Sequence, residues 1–192
     1  MKLIFASSNK NKFIEIEKII PKNIELGNLK EINFFEEIPE NEDTIEGNAT
    51  FKAKYIHSKF NINVFADDTG LEVQALGGKP GVHSARFAGE CNSEKNITKL
   101  LKELKNIKNR KARFKTIIAL VLNEKFYQFE GIINGEILLS KKGNNGFGYD
   151  PIFKPNGYKK SFAELSIKVK NKISHRALAV NKLIDFIRKV KS

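Results

Sequence analysis

The chain has 192 residues, 41% of them apolar, with 34 Lys and Arg against 22 Asp and Glu and a net charge of +12. That length and apolar fraction exclude a disordered chain and supply one sizeable core, so a single compact domain over 1–192 is expected. Cys91 is the one cysteine, which excludes a disulfide framework and a thiolate zinc cluster, and the longest apolar runs, such as "TIIALVL", are too short to cross a bilayer.

The start "MKLIFASSNK" lacks the apolar length and small-residue cleavage site of a secretory signal, so a cytoplasmic protein without a membrane partner is expected. The lysines are spread over predicted helix faces and turns instead of gathering in one arm. They read as solvated surface, and no nucleic-acid partner follows from them, although phosphate-bearing small molecules are favoured. The acids are less even. Glu31, Glu36, Glu37, Glu40, Glu42, Asp43 and Glu46 form an acidic island in a basic chain, which suits a divalent cation held by oxygen; a solvated loop is the plainer alternative.

In chain order, "KLIFA" predicts a short buried strand, and Phe13, Ile16 and Ile20 share one face of a helix ending at Pro21. Asp43 or Thr44 can cap a second helix that runs to about Phe60, with Ala49, Ala53, Ile56 and Phe60 inward. "INVFA" predicts a strand leading to Asp67 and Asp68, with Gly70 breaking it before a short extended "LEVQAL". Ser93 is the expected cap of a helix carrying Ile97, Leu100, Leu101 and Leu104 at i, i+3, i+4, i+7. "RFKTIIALVLN" and "YQFEGIINGEILL" predict two longer strands joined at "EK". A last helix from near Ser174 has Val180, Leu183, Ile184 and Ile187 inward. Helices and strands mixed in this way predict an α/β domain.

Four stretches can carry chemistry. "SSNKNK", Ser7 to Lys12, joins a strand to a helix whose unpaired N–H groups, with hydroxyls and lysines beside them, suit phosphate oxygens. The plainer reading is that Asn9 caps the helix while Lys10 and Lys12 face water. The acidic loop precedes a helix on which Asn48 and Lys52 share a face, so Lys52 can reach back toward whatever the loop binds; Asp43 and Glu46 otherwise form a capping pair. In "ADDTG", Asp67 and Asp68 point to opposite faces if the strand persists, which makes one the actor and the other its support. Paired carboxylates tolerate each other beside a cation or several N–H donors, and a turn supplying those donors is the alternative. "GNNGFGYDPIFKP", Gly143 to Pro155, exposes backbone beside Phe147 and Tyr149. It suits a nucleobase stacked on a ring with its edge read by main chain and Asp150. His175 and Arg176, cations at a helix start, oppose the helix dipole and so point to function; His57 and His83 read as structural or exposed.

In order along the chain, "SSNKNK", the acidic loop ending "TIEGNA", "ADDTGLEVQALGGKPGVHSARFAG", "NGFGYDPIF" and "KNKISHRA" resemble the Ham1/RdgB-type inosine triphosphate pyrophosphatases. The match spans Ser7 to Ala179. The resemblance implies Mg2+-dependent hydrolysis of non-standard purine nucleoside triphosphates (ITP, dITP, XTP) to the monophosphate and pyrophosphate. It also implies a two-lobed α/β domain with an elongated, mixed, twisted sheet flanked by helices, a central cleft, and a homodimer. By position it makes Asp68 the catalytic proton acceptor and, with Glu40, a magnesium ligand. It gives the triphosphate to Ser7, Ser8, Asn9, Lys10, Asn11 and Lys12, and a contact to substrate to Thr69; Lys52, reaching back from its helix, is expected to touch substrate as well. The base and sugar pocket falls to Phe147, Gly148, Tyr149, Asp150, Lys170, His175 and Arg176. Three positions depart from the family's usual pattern: Ser7 and Thr69 each exchange one hydroxyl residue for the other, and Glu42 stands where glycine is common. A Maf-like pyrophosphatase acting on pyrimidine or modified nucleotides is the nearest alternative.

Overall fold

The computed structural model describes residues 1–191. Its elements follow as β1 (Lys2–Phe5), α1 (Lys10–Glu17), β2 (Glu25–Asn28), α2 (Ile45–Phe60), β3 (Val64–Val73), β4 (Pro80–Gly81), α3 (Ser93–Glu103), β5 (Lys111–Leu122), β6 (Lys125–Ile137), β7 (Phe153–Pro155), α4 (Ile167–Ile173) and α5 (His175–Lys191). The strands form one sheet in the order β2-β1-β3-β5-β6-β7, with β4 added on β3. β1 runs parallel to both β2 and β3, whereas β4 on β3 and β7 on β6 are antiparallel. The expected α/β class with a mixed sheet is what the chain forms.

Two compact units divide the chain, one made of residues 1–68, 116–131 and the chain from Arg176 onward, the other of Thr69–Lys115 and Ile132–His175. In the first, Leu3, Phe5, Phe65, Ile118, Leu120 and Leu122 meet Val180, Leu183, Ile184 and Ile187 of α5 in one buried cluster. Phe5 and Phe65 are partners in the ladder and stack at 4.9 Å. Each such side chain removed from water contributes about 1.5–3 kcal/mol, so this cluster anchors the strand ends that carry Ser7 and Asp67. In the second unit, Leu71, Phe114, Ile137 and Phe153 pack with Ile97 and Leu100 of α3, with Leu104 just beyond its end, and with Phe162. The rings of Phe114 and Phe153 meet edge to face at 4.7 Å.

The net charge is unequally divided. The first unit has 15 Lys and Arg against 15 Asp and Glu, whereas the second has 19 against 7 and so holds the whole excess of +12. The shortage of acids in the second unit, more than a surplus of lysines, makes the difference.

Several local expectations are corrected. β3 does not break at Gly70 but continues for ten residues through both aspartates. Gly70 is tolerated because the next residue is pinned: the Leu71 N–H donates to Ser84 Oγ at 2.8 Å, and Leu71 pairs with Gly81 of β4. Of the two expected caps of α2, Thr44 serves, accepting from the Gly47 N–H. Asn92, not Ser93, caps α3 by accepting from the Lys95 N–H. The β5–β6 connection is Asn123 and Glu124, both left-handed at φ 49° and 65°. α4 and five short 3₁₀ turns have no counterpart in the apolar periodicity.

Candidate functional site

In the first unit, β1 delivers Ser7 to the turn that opens α1. Asn9 is in the extended region and its Oδ1 accepts from the backbone N–H groups of Asn11 and Lys12 at 3.0 and 3.2 Å. The Asn9 N–H in turn donates to Ser7 Oγ at 3.3 Å. Ser8, Asn9, Lys10 and Asn11 are exposed, whereas Lys12 turns inward and its Nζ donates to Asp67 Oδ1 at 2.9 Å. The plainer reading of "SSNKNK" therefore holds in part: Asn9 caps the helix and Lys10 faces water, whereas Lys12 turns inward.

Because β3 persists, its alternation sends Asp67 and Asp68 to different partners. Asp67 is fully buried between two cations, with Lys12 on Oδ1 and Arg176 Nε on Oδ2 at 3.1 Å. Burial alone would raise its pKa, but Lys12, Arg176 and Lys52 hold the carboxyl well below the usual carboxylate range. Arg176, itself 1% exposed, also donates through a terminal nitrogen to Glu15 on α1. Its charge is strengthened against burial by Asp67 and Glu15. The structure thus brings Arg176 to Asp67 and to Glu15 of α1, whereas the resemblance assigns it to the base.

Asp68 has a different environment. Its Oδ1 accepts from Lys52 Nζ at 3.2 Å, and the same ammonium reaches Glu40 Oε1 at 2.7 Å. Its Oδ2 is buried with no hydrogen-bond partner among the described residues. Burial pushes the Asp68 carboxyl up; Lys52 and Lys12 oppose this, while Glu40 and Asp67 add to it. The acidic loop is tied to α2 by Asn48, whose Oδ1 accepts from the Glu42 N–H at 3.1 Å. The tie explains how an exposed loop can present Glu40 to a lysine 4% exposed.

Among the described residues no group of three or more His, Cys, Asp or Glu stands in metal-ligand geometry. Two carboxylates joined through one ammonium nevertheless fit a hard cation in donor type, because magnesium takes oxygen ligands and keeps several waters or phosphate oxygens in its shell. With Oδ2 unpartnered, the Asp68 carboxylate keeps lone pairs beyond the one that Lys52 takes.

In the second unit, the glycine-rich loop is fixed by Asp150. Its Oδ2 accepts from the Phe147 N–H at 2.8 Å and from Lys170 Nζ at 2.5 Å. The carboxylate lies where a side chain on Gly146 would be: a Cβ there would come within 2.0 Å of Oδ2, and φ is +77°. The Lys170 ammonium stands 5.2 Å from the centre of the Phe147 ring and 5.6 Å from that of Phe162. Tyr149 is buried and its hydroxyl donates to the Ser84 carbonyl at 2.9 Å; burial pushes its pKa far up. His175 stacks on Phe114 at 4.5 Å and 14°. Asp150 therefore serves the loop's own backbone and Lys170, a use with no signal in the sequence. Gly148, at φ +60°, opens the backbone beside Phe147, and Thr69 is half-buried in β3.

Two contributors are absent from the sequence-based site. Glu15 lies three residues after Lys12 on α1, the spacing that puts both on one helix face and the one signal that could have found it. Ser84 sits inside "PGVHSARFAG", where the sequence draws attention only to His83.

A sequence profile of the Ham1 family matches residues 3–186. The chain is 56% identical, over the full length of both proteins, to a protein of Flavobacterium johnsoniae named dITP/XTP pyrophosphatase. It is 47% identical over 98% of its length to one of the same name from Caldanaerobacter subterraneus, of which 97% is covered. Among solved structures, the Staphylococcus aureus Ham1 protein superposes with a TM-score of 0.90 at 39% identity, over 98% of this chain and 99% of that one.

Proposed function

Because the chain belongs to the Ham1 family, we propose that it hydrolyses non-standard purine nucleoside triphosphates, dITP, XTP and ITP, to the nucleoside monophosphate and pyrophosphate with Mg2+. The reading carries with it one working domain over 1–192, a cytoplasmic homodimer and a place in cleansing the nucleotide pool. No helix among the described residues is long and apolar enough to cross a membrane. The purine substrates in the names of the relatives favour this over a Maf-like activity on pyrimidines.

The observation that carries the proposal is Asp68: a buried carboxylate with one oxygen held by Lys52, one unpartnered, and burial pushing its pKa toward the range of a general base. Oδ2 is the atom assigned to take a proton from water as the water oxygen bonds to the α-phosphorus. The bond from the α-phosphorus to the bridging oxygen breaks, pyrophosphate leaves with that electron pair, and no covalent enzyme intermediate forms. Glu40 and Asp68 would hold the magnesium ion, which when bound offsets charge on the phosphates. Ser7 to Lys12 are assigned to the triphosphate, with Lys12 aimed by Asp67 and the α1 N-terminus supplying N–H groups. Arg176 is assigned to holding Asp67, and so to aiming Lys12.

Base recognition is assigned to the Phe147 loop, with Asp150 and Lys170 setting its shape, Tyr149 fixing it to Ser84, and His175 on Phe114 at its side. Hypoxanthine and xanthine offer a 6-oxo acceptor to backbone N–H groups, whereas adenine offers a donor. A buried unpaired donor costs about 1–3 kcal/mol, roughly ten- to hundredfold in selectivity.

The test is hydrolysis of ITP with Mg2+ in H2¹⁸O, with products identified by mass spectrometry. IMP carrying the label, and unlabelled pyrophosphate, are expected; IDP with orthophosphate, or faster turnover of dTTP than of ITP, would refute the reading.

A further inference from the structure

The Lys52 ammonium occupies an unusual position for a phosphate-binding lysine. It is buried, and it is spent on the two carboxylates that the proposed function gives to the metal, Glu40 Oε1 at 2.7 Å and Asp68 Oδ1 at 3.2 Å. Those contacts place the two oxygens within about 6 Å of each other, with the ammonium between them. A magnesium ion binds oxygen at about 2.0–2.1 Å, so two oxygens sharing one ion lie at most about 4 Å apart. A dication held by these same two oxygens, with Asp68 Oδ2 left to the water, would therefore need the place the nitrogen holds. If both cations stayed on the same lone pairs they would sit a few ångströms apart in a poorly screened site, where like charges repel strongly. One of them has to leave.

The dication cannot be replaced in its role, whereas a lysine on a four-carbon stem anchored in α2 can swing. A departing ammonium, buried and newly without a counter-charge, needs an anion. The triphosphate that arrives with the metal supplies one.

We propose that Lys52 is an exchangeable internal counter-ion: it neutralises Glu40 and Asp68 until a divalent cation displaces it, and it is then transferred to the phosphates of the incoming nucleotide. The idea rests on the function proposed above and adds an order of events, in which metal and nucleotide bind with positive coupling because each needs Lys52 moved. Lys52 also fixes which Asp68 oxygen is blocked before metal enters, leaving Oδ2 for the water.

Binding of Mn2+ alone, read from the free-ion electron paramagnetic resonance signal without nucleotide, tests the exchange. Lys52→Met removes the competing charge at similar bulk, so Mn2+ should bind at least about tenfold more tightly than to the unaltered protein. Lys52→Arg keeps a cation that can fork across both carboxylates and should bind Mn2+ no better than Lys52 does. Equal or weaker binding by Lys52→Met would overturn the exchange while leaving the hydrolase reading in place; no Mn2+ binding by any of the proteins would sink both. Should Lys52→Met fail to fold, the unaltered protein carries a second reading. With ¹³C-labelled lysine, the Lys52 Cε resonance should shift as Mg2+ is added without nucleotide, and a resonance unmoved at metal saturation would refute the displacement.

Discussion

Replacing Asp67 by asparagine isolates the role of the fully buried carboxylate. The amide keeps the shape and one acceptor oxygen but removes the charge that Lys12 and Arg176 share. Breaking a buried ion pair from one side costs about 3–5 kcal/mol because the partners remain buried and uncompensated. Arg176 retains Glu15, so the lower end, about 3 kcal/mol, is the expected loss near neutral pH. The pH dependence has a definite sign. The folded pKa of Asp67 is depressed below its unfolded value, so its contribution is complete above the unfolded pKa and is lost as pH falls toward the folded one. With an unfolded pKa of about 3.9, roughly 1.3 kcal/mol of the advantage should already be gone at pH 3. Urea unfolding of the parent and Asp67→Asn by circular dichroism, at pH 7 and pH 3, measures it. A variant as stable as the parent at pH 7, or a difference that grows in acid, would refute the reasoning.

Three further outcomes follow from the same geometry. Glu124 occupies a left-handed position at φ 65°, so Glu124→Gly should raise stability by about 1 kcal/mol, a few degrees in melting temperature by calorimetry. Gly146→Ala would drive a Cβ into Asp150 Oδ2; the KM for ITP should rise at least about tenfold, and the melting temperature should also fall, because the displaced carboxylate is buried against Lys170 and alanine is strained at φ +77°. Burial pushes the Asp68 carboxyl up, so in the metal-free protein its carboxyl carbon, followed by ¹³C NMR, should titrate above the ordinary aspartate range, and Glu40→Gln, which removes a neighbouring negative charge, should move that titration to lower pH.

Much of this is legible in the sequence because the signals are local. The Asn9 cap needs only a short polar residue before an apolar period, and the α3 stripe follows from i, i+3, i+4 spacing. The opposed directions of Asp67 and Asp68 follow from the two-residue period of a strand. What escapes depends on residues far apart in the chain. A glycine after "DDT" predicts a break, and only Ser84, reaching Leu71 from 13 residues away, shows why the strand runs on. A cation at a helix start, such as Arg176, has no local purpose in the sequence, and only the fold gives it a buried carboxylate, Asp67, 109 positions earlier. Asp150 similarly looks outward in the sequence, and only the fold puts the Phe147 N–H and Lys170 on it. Local rules carry the elements, and buried charge sets the partners.

The central claim, that the buried Asp68 carboxylate activates the water that splits the triphosphate, is tested most directly by single-turnover hydrolysis of ITP by Asp68→Asn at saturating protein and Mg2+. An amide cannot take the proton, and general base catalysis is worth about 10²–10⁴ in rate, so a loss of at least a hundredfold with an unchanged far-ultraviolet spectrum is predicted. Retention of more than about a tenth of the parent rate would contradict it.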